Sequence, residues 1–207
     1  MNSNNLVSKG LAEFIATATL TLVVLSVLAR TTFPFFAALG AGLTVGLMVV
    51  LVGKISGAHA NPAITLGFLS KKMINVTDAV VYIAFQLLGA FLALGLYQYL
   101  SDRVLPISNS SFDWRVFTAE AVGAFVFGFG VIAGVTQKLS STALGAVIGT
   151  SLLLGLLIAS SGSNAIINPA VALGLKSFTL PYIIGPIVGA ILGMQVYSYL
   201  FETKKKR

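Results

Sequence analysis

The chain has 207 residues, of which 57% are hydrophobic and only 9% are charged. A soluble domain carries about 25% charged residues, so this composition excludes a water-soluble globular protein and predicts an integral membrane protein surrounded by lipid. The formal net charge of +7 rests partly on the terminal run Lys204–Arg207, which we expect to contact anionic lipid rather than nucleic acid.

Six stretches come close to the 20 or so apolar residues that a helix needs to cross a bilayer. The predicted spans are Leu11–Leu28, Phe33–Val52, Ala79–Leu100, Phe117–Thr136, Leu144–Ser160 and Tyr182–Phe201. Two shorter apolar pieces, Pro62–Leu69 and Pro169–Leu175, are too brief to cross and are predicted to be re-entrant half-helices. The fold class is therefore all-α, and the first span is expected to serve as the targeting element in place of a removable signal peptide.

The lysines and arginines are distributed unevenly over the two sides of these spans. With the N-terminus inside, nine lie on the inner side, and only Arg30, Arg103, Arg115 and Lys176 lie outside. This bias predicts that both termini are cytoplasmic. The short loops and short termini favour a prokaryotic plasma membrane.

The sequence repeats at an interval of 107 residues. Asn61 and Asn168 each open an Asn-Pro-Ala triplet, and Glu13 and Glu120 are separated by the same interval. We therefore predict two halves, residues 1–103 and 104–207, each with three spans and one half-helix. Because three is an odd number, the second half must enter the membrane upside down, which gives an inverted 3+3 repeat.

Each triplet has the sequence of a helix start, because proline suits the first helical position and asparagine the position before it. The triplets are Asn61-Pro62-Ala63 and Asn168-Pro169-Ala170. In an inverted repeat the two starts face each other at mid-membrane, where their partial positive charge discourages cations and protons. We expect the two asparagine side chains to donate amide hydrogens to a passing water or hydroxyl group.

Glu13 and Glu120 are the only acidic residues well inside the predicted spans. A carboxylate within lipid costs about 2.5–3.5 kcal/mol on insertion scales, so each must face polar partners. We predict that both are structural and accept hydrogen bonds from backbone N–H groups and hydroxyls of the re-entrant loops. A proton relay or an ion-binding carboxylate of a coupled transporter is the alternative.

His59 stands two residues before Asn61, beside the expected passage. We predict that its backbone carbonyl lines the pore while its ring is anchored in the structure; a pH gate through the imidazole is the alternative. A single histidine without companions does not predict a metal site, and no cofactor is expected. The sequence shows no phosphate-binding glycine loop, paired catalytic carboxylates or Ser-His-Asp set, so an enzyme is not predicted.

The segment Ser56–Thr65 resembles the first re-entrant loop of the aquaporin and aquaglyceroporin (major intrinsic protein) family. Other similarities to family patterns are Ala12-Glu13-Phe14, Gln86-Leu87-Leu88-Gly89-Ala90, Glu120 and Pro186-Ile187-Val188-Gly189-Ala190. The resemblance implies a right-handed bundle of six helices and two half-helices, a pore in every protomer and a homotetramer. It also implies a passive channel for water or small uncharged solutes.

The chain departs from the family pattern at the outer constriction. Family members usually carry arginine directly after the second Asn-Pro-Ala, where this chain has Val171. Counting from neighbouring motifs, the resemblance places the other constriction positions at Ala41, Leu156 and Ala165. All four are apolar, so we expect a wider and more apolar mouth that admits glycerol-like, urea-like or ammonia-like solutes alongside water.

Three other functions remain open. The missing arginine allows a weakly selective cation channel. A secondary transporter would need coupling-ion ligands, for which only the two membrane carboxylates are available. A structural membrane protein that does not conduct would result if the apolar constriction closed by dewetting.

Overall fold

The computed structural model describes residues 5–107 and 111–202, and within them it contains eight helices. These are α1 Leu6–Leu28, α2 Pro34–Ser56, α3 Pro62–Ser70, α4 Val76–Ser101, α5 Trp114–Thr136, α6 Ser141–Ala159, α7 Pro169–Gly174 and α8 Leu180–Phe201. Six of them are long and apolar enough to cross a membrane, and α3 and α7 are the two short ones. The predicted all-α fold of six spans and two half-helices is confirmed. The basic run Lys204–Arg207 lies outside the described residues.

Several spans begin before the apolar stretches that predicted them, because polar residues cap their first turns. The side chain of Asn5 accepts a hydrogen bond from the backbone of α1 at 3.0 Å, that of Asn75 from α4 at 2.8 Å, and that of Asp113 from α5 at 2.7 Å. Each cap satisfies an amide that has no partner within the helix, and it fixes the start three to five residues earlier than predicted. Half-helix α7 ends one residue earlier than predicted, at Gly174.

The helices of the two halves pack in equivalent pairs. Helix α1 packs on α4 as α5 packs on α8, and α1 packs on α2 as α5 packs on α6. Each half-helix lies against the last span of the opposite half, α3 on α8 and α7 on α4. Helices α2 and α6 are counterparts and cross each other directly, so the approximate twofold axis of the inverted repeat passes between them.

Glycines make the crossing of α2 and α6 close. A Cβ atom added to Gly42 would lie 2.6 Å from the carbonyl oxygen of Gly149, and one added to Gly145 would lie 2.5 Å from that of Gly46. Small residues let membrane helices approach in this way. On the outer surface of the same helix pair, Leu43 is 66% exposed, as suits a side chain that faces lipid or a neighbouring subunit.

Candidate functional site

The first residues of α3 and α7 meet in the centre of the bundle. The side-chain Nδ2 of Asn61 donates to the carbonyl oxygen of Ile167 at 2.9 Å, and Nδ2 of Asn168 donates to that of Ala60 at 2.8 Å. Both asparagines are at most 3% exposed. Each loop is therefore fastened to the other by a reciprocal pair of hydrogen bonds.

Both asparagines also cap their own half-helix. Oδ1 of Asn61 accepts the amide hydrogen of the alanine two residues later at 2.8 Å, and Oδ1 of Asn168 does the same at 3.0 Å. A proline occupies the first helical position in both cases. A side-chain amide carries two donor hydrogens, and among the described residues only one of each pair finds an acceptor. The second N–H of each asparagine finds no acceptor within the described residues.

The loops before the two half-helices share an unusual backbone. Ala58 and Ala60 have φ angles of 52° and 48°, and Ala165 and Ile167, 107 residues later, have 54° and 41°. These left-handed conformations are uncommon for residues with a side chain and persist only where the surroundings enforce them. In both loops a buried glutamate supplies that constraint.

Glu13 binds the first loop from α1. Its Oε1 accepts hydrogen bonds from Ser56 Oγ at 2.6 Å and from the amide of His59 at 2.9 Å, and its Oε2 accepts from the amide of Ala60 at 2.7 Å. Gln86 Nε2 on α4 donates to the same Oε2 at 2.8 Å. The side chain of Glu13 is fully buried. Its four hydrogen-bond donors offset the free-energy cost of removing the carboxylate from water.

Glu120 binds the second loop from α5 in the same way. Its Oε1 accepts from Ser163 Oγ at 2.6 Å and from the amide of Ile166 at 2.9 Å, and its Oε2 accepts from the amide of Ile167. It is fully buried as well. The two loops thus turn consecutive amides towards a carboxylate, while within the described residues the carbonyl oxygens of His59 and Ile166 accept no hydrogen bond.

The ring of His59 is enclosed by neighbours. It stacks on Phe68 with the ring centres 4.5 Å apart and meets Tyr82 edge-on at 5.2 Å. Its Nδ1 lies 3.1 Å from Thr65 Oγ1, which itself accepts from Gln86 Nε2 at 3.0 Å. The imidazole therefore has a fixed orientation, and only 6% of the residue is exposed.

A cavity of about 380 Å³ leads from the half-helix starts to the end of the bundle away from the termini. We call it the Asn164 cavity. Ala41, Leu156, Ala165 and Val171, the positions predicted for the outer constriction, all lie in its wall, and so does Asn168. We refer to the four apolar residues as the Asn164-side set.

A second cavity, of about 350 Å³, opens at the end of the bundle where the chain begins and ends. We call it the His59 cavity. His59 and Ile64 line it close to the half-helix starts, and Lys54 is the one charged residue among the described residues of its wall. The asparagine pair therefore lies between two cavities that open in opposite directions.

Two sets of partners were not identified from the sequence. Gln86 stands within a motif that resembles the family, but its sequence position does not reveal that it reaches Glu13 and Thr65. Ser56 and Ser163 are the particular hydroxyls that the carboxylates bind, and the interval of 107 residues between them was the available signal.

Comparisons with known proteins agree with this geometry. The family model described as Major intrinsic protein matches residues 1–197. Aquaporin NIP3-1 of Arabidopsis thaliana is 34% identical over 79% of this chain and 56% of its own length. Nodulin-26 of Glycine max is 33% identical over 84% of this chain and 68% of its own length. The chain thus spans between about half and two thirds of these relatives.

Among solved structures, the aquaglyceroporin from Plasmodium falciparum superposes with a TM-score of 0.78 at 22% identity, covering 95% of this chain and 97% of that one. This similarity shows a shared fold. Members of the matching family are channels and not enzymes. With its whole-chain family match and its two opposed Asn-Pro-Ala half-helices, this integral membrane protein belongs to the major intrinsic protein family.

Proposed function

We propose that this protein is a passive channel for water and small uncharged solutes. The observation that carries the proposal is the asparagine pair between the Asn164 and His59 cavities, with one N–H on each side chain that finds no acceptor in residues 5–107 and 111–202. A solute oxygen accepts from these donors in passing. Because irregular backbone at membrane depth needs polar surroundings, the two loops suit a water-filled passage.

Ions are excluded mainly by the half-helix starts. Both point their amide ends towards the asparagine pair, which makes the middle of the passage electropositive and unfavourable for cations and protons. The oxygens of the buried carboxylates are already occupied by the loops, so they do not serve as ligands for a passing cation. Glu13 and Glu120 act as structural tethers in this proposal, and the carbonyls of His59 and Ile166 line the passage.

The Asn164-side set gives the outer cavity an apolar wall that neutral solutes can pass. Its four side chains carry no charge and no hydrogen-bonding group, so it lacks the fixed positive charge and the several donors that an arginine would supply. We expect it to admit glycerol, urea and ammonia together with water.

Osmotic swelling of proteoliposomes tests this proposal. Vesicles that contain the protein should take up water, glycerol and urea faster than empty vesicles of the same lipid and size. Rates that equal those of empty vesicles for every solute would show a structural protein that does not conduct. Fast uptake of water with glycerol and urea uptake no faster than in empty vesicles would limit the function to water. Steady cation currents across planar bilayers would instead support the weakly selective cation channel.

The assembly and its orientation complete the proposal. We propose a homotetramer in a plasma membrane, with both termini cytoplasmic, so that the His59 cavity faces the cytoplasm and the Asn164 cavity faces outward. The family resemblance implies the homotetramer, and the exposed apolar surface of α2 and α6 suits either lipid or a neighbouring subunit. Native mass spectrometry in detergent measures the number of subunits, and protease protection of a C-terminal tag in sealed vesicles measures the orientation.

A further inference from the structure

The repeat interval relates the walls of the two cavities residue by residue. Adding or subtracting 107 takes each member of the Asn164-side set to a counterpart in the other half. The counterparts are Ile148 for Ala41, Val49 for Leu156, Ala58 for Ala165 and Ile64 for Val171. All four counterparts line the His59 cavity. We call Val49, Ala58, Ile64 and Ile148 the His59-side set.

The correspondence extends to local geometry. Val171 and Ile64 both occupy the third position of their half-helix, and Ala165 and Ala58 share a φ angle near 53°. The two sets therefore stand at matching distances along the chain from the asparagine pair. We therefore compare the two sets by the size of their side chains.

Those side chains are larger on the His59 side. Ile148 has three more side-chain carbon atoms than its counterpart Ala41. Ile64 has one more than its counterpart Val171. Only Val49 is smaller than its counterpart, by one carbon atom. All members of the His59-side set are at most 5% exposed, so they are packed against the bundle and cannot swing out into solvent.

The surrounding walls differ in the same direction. The Asn164 cavity is lined by the polar residues Ser160 and Asn164, where the His59 cavity has Gly53 and Gly57. Phe127 and Phe68 line the His59 cavity at the positions that correspond to Leu20 and Leu175. Over the whole walls, four polar or charged residues line the His59 cavity, namely Lys54, Ser56, His59 and Ser141, against six in the Asn164 cavity. A solute that leaves the asparagine pair on the His59 side thus meets bulkier walls with fewer hydrogen-bonding residues.

From this asymmetry we infer that the His59-side set, and not the Asn164-side set, limits the size of the solutes that pass. The inference rests on the proposed channel function. A longer polyol needs more width and must give up more hydrogen bonds to water where the wall is apolar. Ile148 is the main determinant, because it differs most from its counterpart.

Matched truncations of the two sets test the inference. Ile148→Ala and Leu156→Ala each shorten one large aliphatic residue, on opposite sides of the asparagine pair. Uptake of glycerol and of the larger polyol erythritol is measured in proteoliposomes, normalised to the amount of folded protein in the vesicles. The wild type should take up glycerol faster than erythritol, and Ile148→Ala should raise the erythritol-to-glycerol ratio by about tenfold, whereas Leu156→Ala should leave it unchanged.

The inference is overturned if Leu156→Ala raises the ratio and Ile148→Ala does not, or if neither variant changes it. A wild type that takes up neither polyol faster than empty vesicles contradicts the proposed channel function instead, so the two failures are distinguishable. Ile64→Val, which removes a single methyl group, serves if Ile148→Ala does not fold. It should raise the ratio by a smaller factor, and an unchanged ratio would again count against the inference.

Discussion

The two re-entrant loops share one framework but differ in their surroundings. Each has a buried glutamate that binds a serine hydroxyl and two consecutive amides, and each has an asparagine that caps the half-helix and reaches the other loop. Around the first loop, Gln86, Thr65 and His59 form a connected polar network. At the interval of 107 residues, Thr65 and His59 correspond to Ala172 and Ile166. The interval shortens to 100 in the last span of each half, where Gln86-Leu87-Leu88-Gly89-Ala90 aligns with Pro186-Ile187-Val188-Gly189-Ala190, so Pro186 stands in the place of Gln86.

This comparison distinguishes the contacts that both half-helix starts require from the contacts that only one half has. The shared contacts hold the uncommon backbone of both loops, and that need is the same on either side of the membrane. In the first half, the hydrogen bond from Gln86 to Thr65 fastens α4 to α3, and Thr65 and Phe68 orient the imidazole of His59. We therefore expect the shared contacts to matter for both loops and the network to matter for the first alone.

The largest effect should follow the loss of a carboxylate. Glu13→Ala leaves two buried amides, a serine hydroxyl and Gln86 Nε2 without their acceptor, at about 1–3 kcal/mol for each group. Glu120→Ala leaves one donor fewer. Thermal unfolding in detergent, followed by circular dichroism, should show a large loss of stability for both, and a larger one for Glu13→Ala.

The control for this comparison is Glu202→Ala. Glu202 is partly exposed and pairs with Lys71 at 3.4 Å, and a surface ion pair contributes at most about 1 kcal/mol. If Glu13→Ala were no more destabilising than this control, the tether role of Glu13 would be wrong.

A smaller effect should follow crowding at the contact between the halves. In Gly42→Ala the new Cβ meets the carbonyl oxygen of Gly149, so α2 and α6 must shift, at a cost of about 1–3 kcal/mol. Gly95→Ala is the matched control, because a Cβ there meets nothing within 4 Å, and it should be neutral or stabilising by up to about 1 kcal/mol. Equal melting temperatures for the two variants would contradict the close crossing.

The two asparagines should be equivalent because their contacts are reciprocal. Asn61→Ala and Asn168→Ala each remove a helix cap and one bond between the loops, and the loss of a cap alone costs about 0.5–2 kcal/mol. We expect similar decreases in stability and in water permeability, measured by unfolding and by vesicle swelling. If one of the two variants kept the wild-type water permeability while the other lost it, the two asparagines would not be equivalent.

The smallest effect should come from the network found only in the first half. Gln86→Leu removes the donor to Glu13 and Thr65, while Gln86 Oε1 has no partner among the described residues to lose. The expected cost is about 1 kcal/mol, close to that of one net hydrogen bond. A melting temperature that falls as far as in Glu13→Ala would mean that Gln86, rather than the shared framework, holds the first loop.

The sequence predicted the spans and half-helices well because hydrophobic length and the Asn-Pro motif are local signals. It placed the starts of α1, α4 and α5 too late, since capping by Asn5, Asn75 and Asp113 extends a helix beyond its apolar stretch. Glu13 and Gln86 are in contact although 73 residues separate them in the sequence. No periodicity of the sequence reveals such a distant partner. The correspondence between the two cavity walls could not be predicted from the repeat interval alone, because it also depends on which residues line each cavity in the structure.

A thiol in the cavity wall tests directly whether solutes pass between the two cavities beside the asparagine pair. The chain contains no cysteine, so Val171→Cys introduces a single thiol into the wall of the Asn164 cavity. Glycerol uptake by vesicles with this variant is measured before and after reaction with a bulky thiol reagent. If solutes pass beside the asparagine pair, uptake should exceed that of empty vesicles before labelling and fall to their level afterwards. Uptake that stays fast after complete labelling would show that solutes take another route.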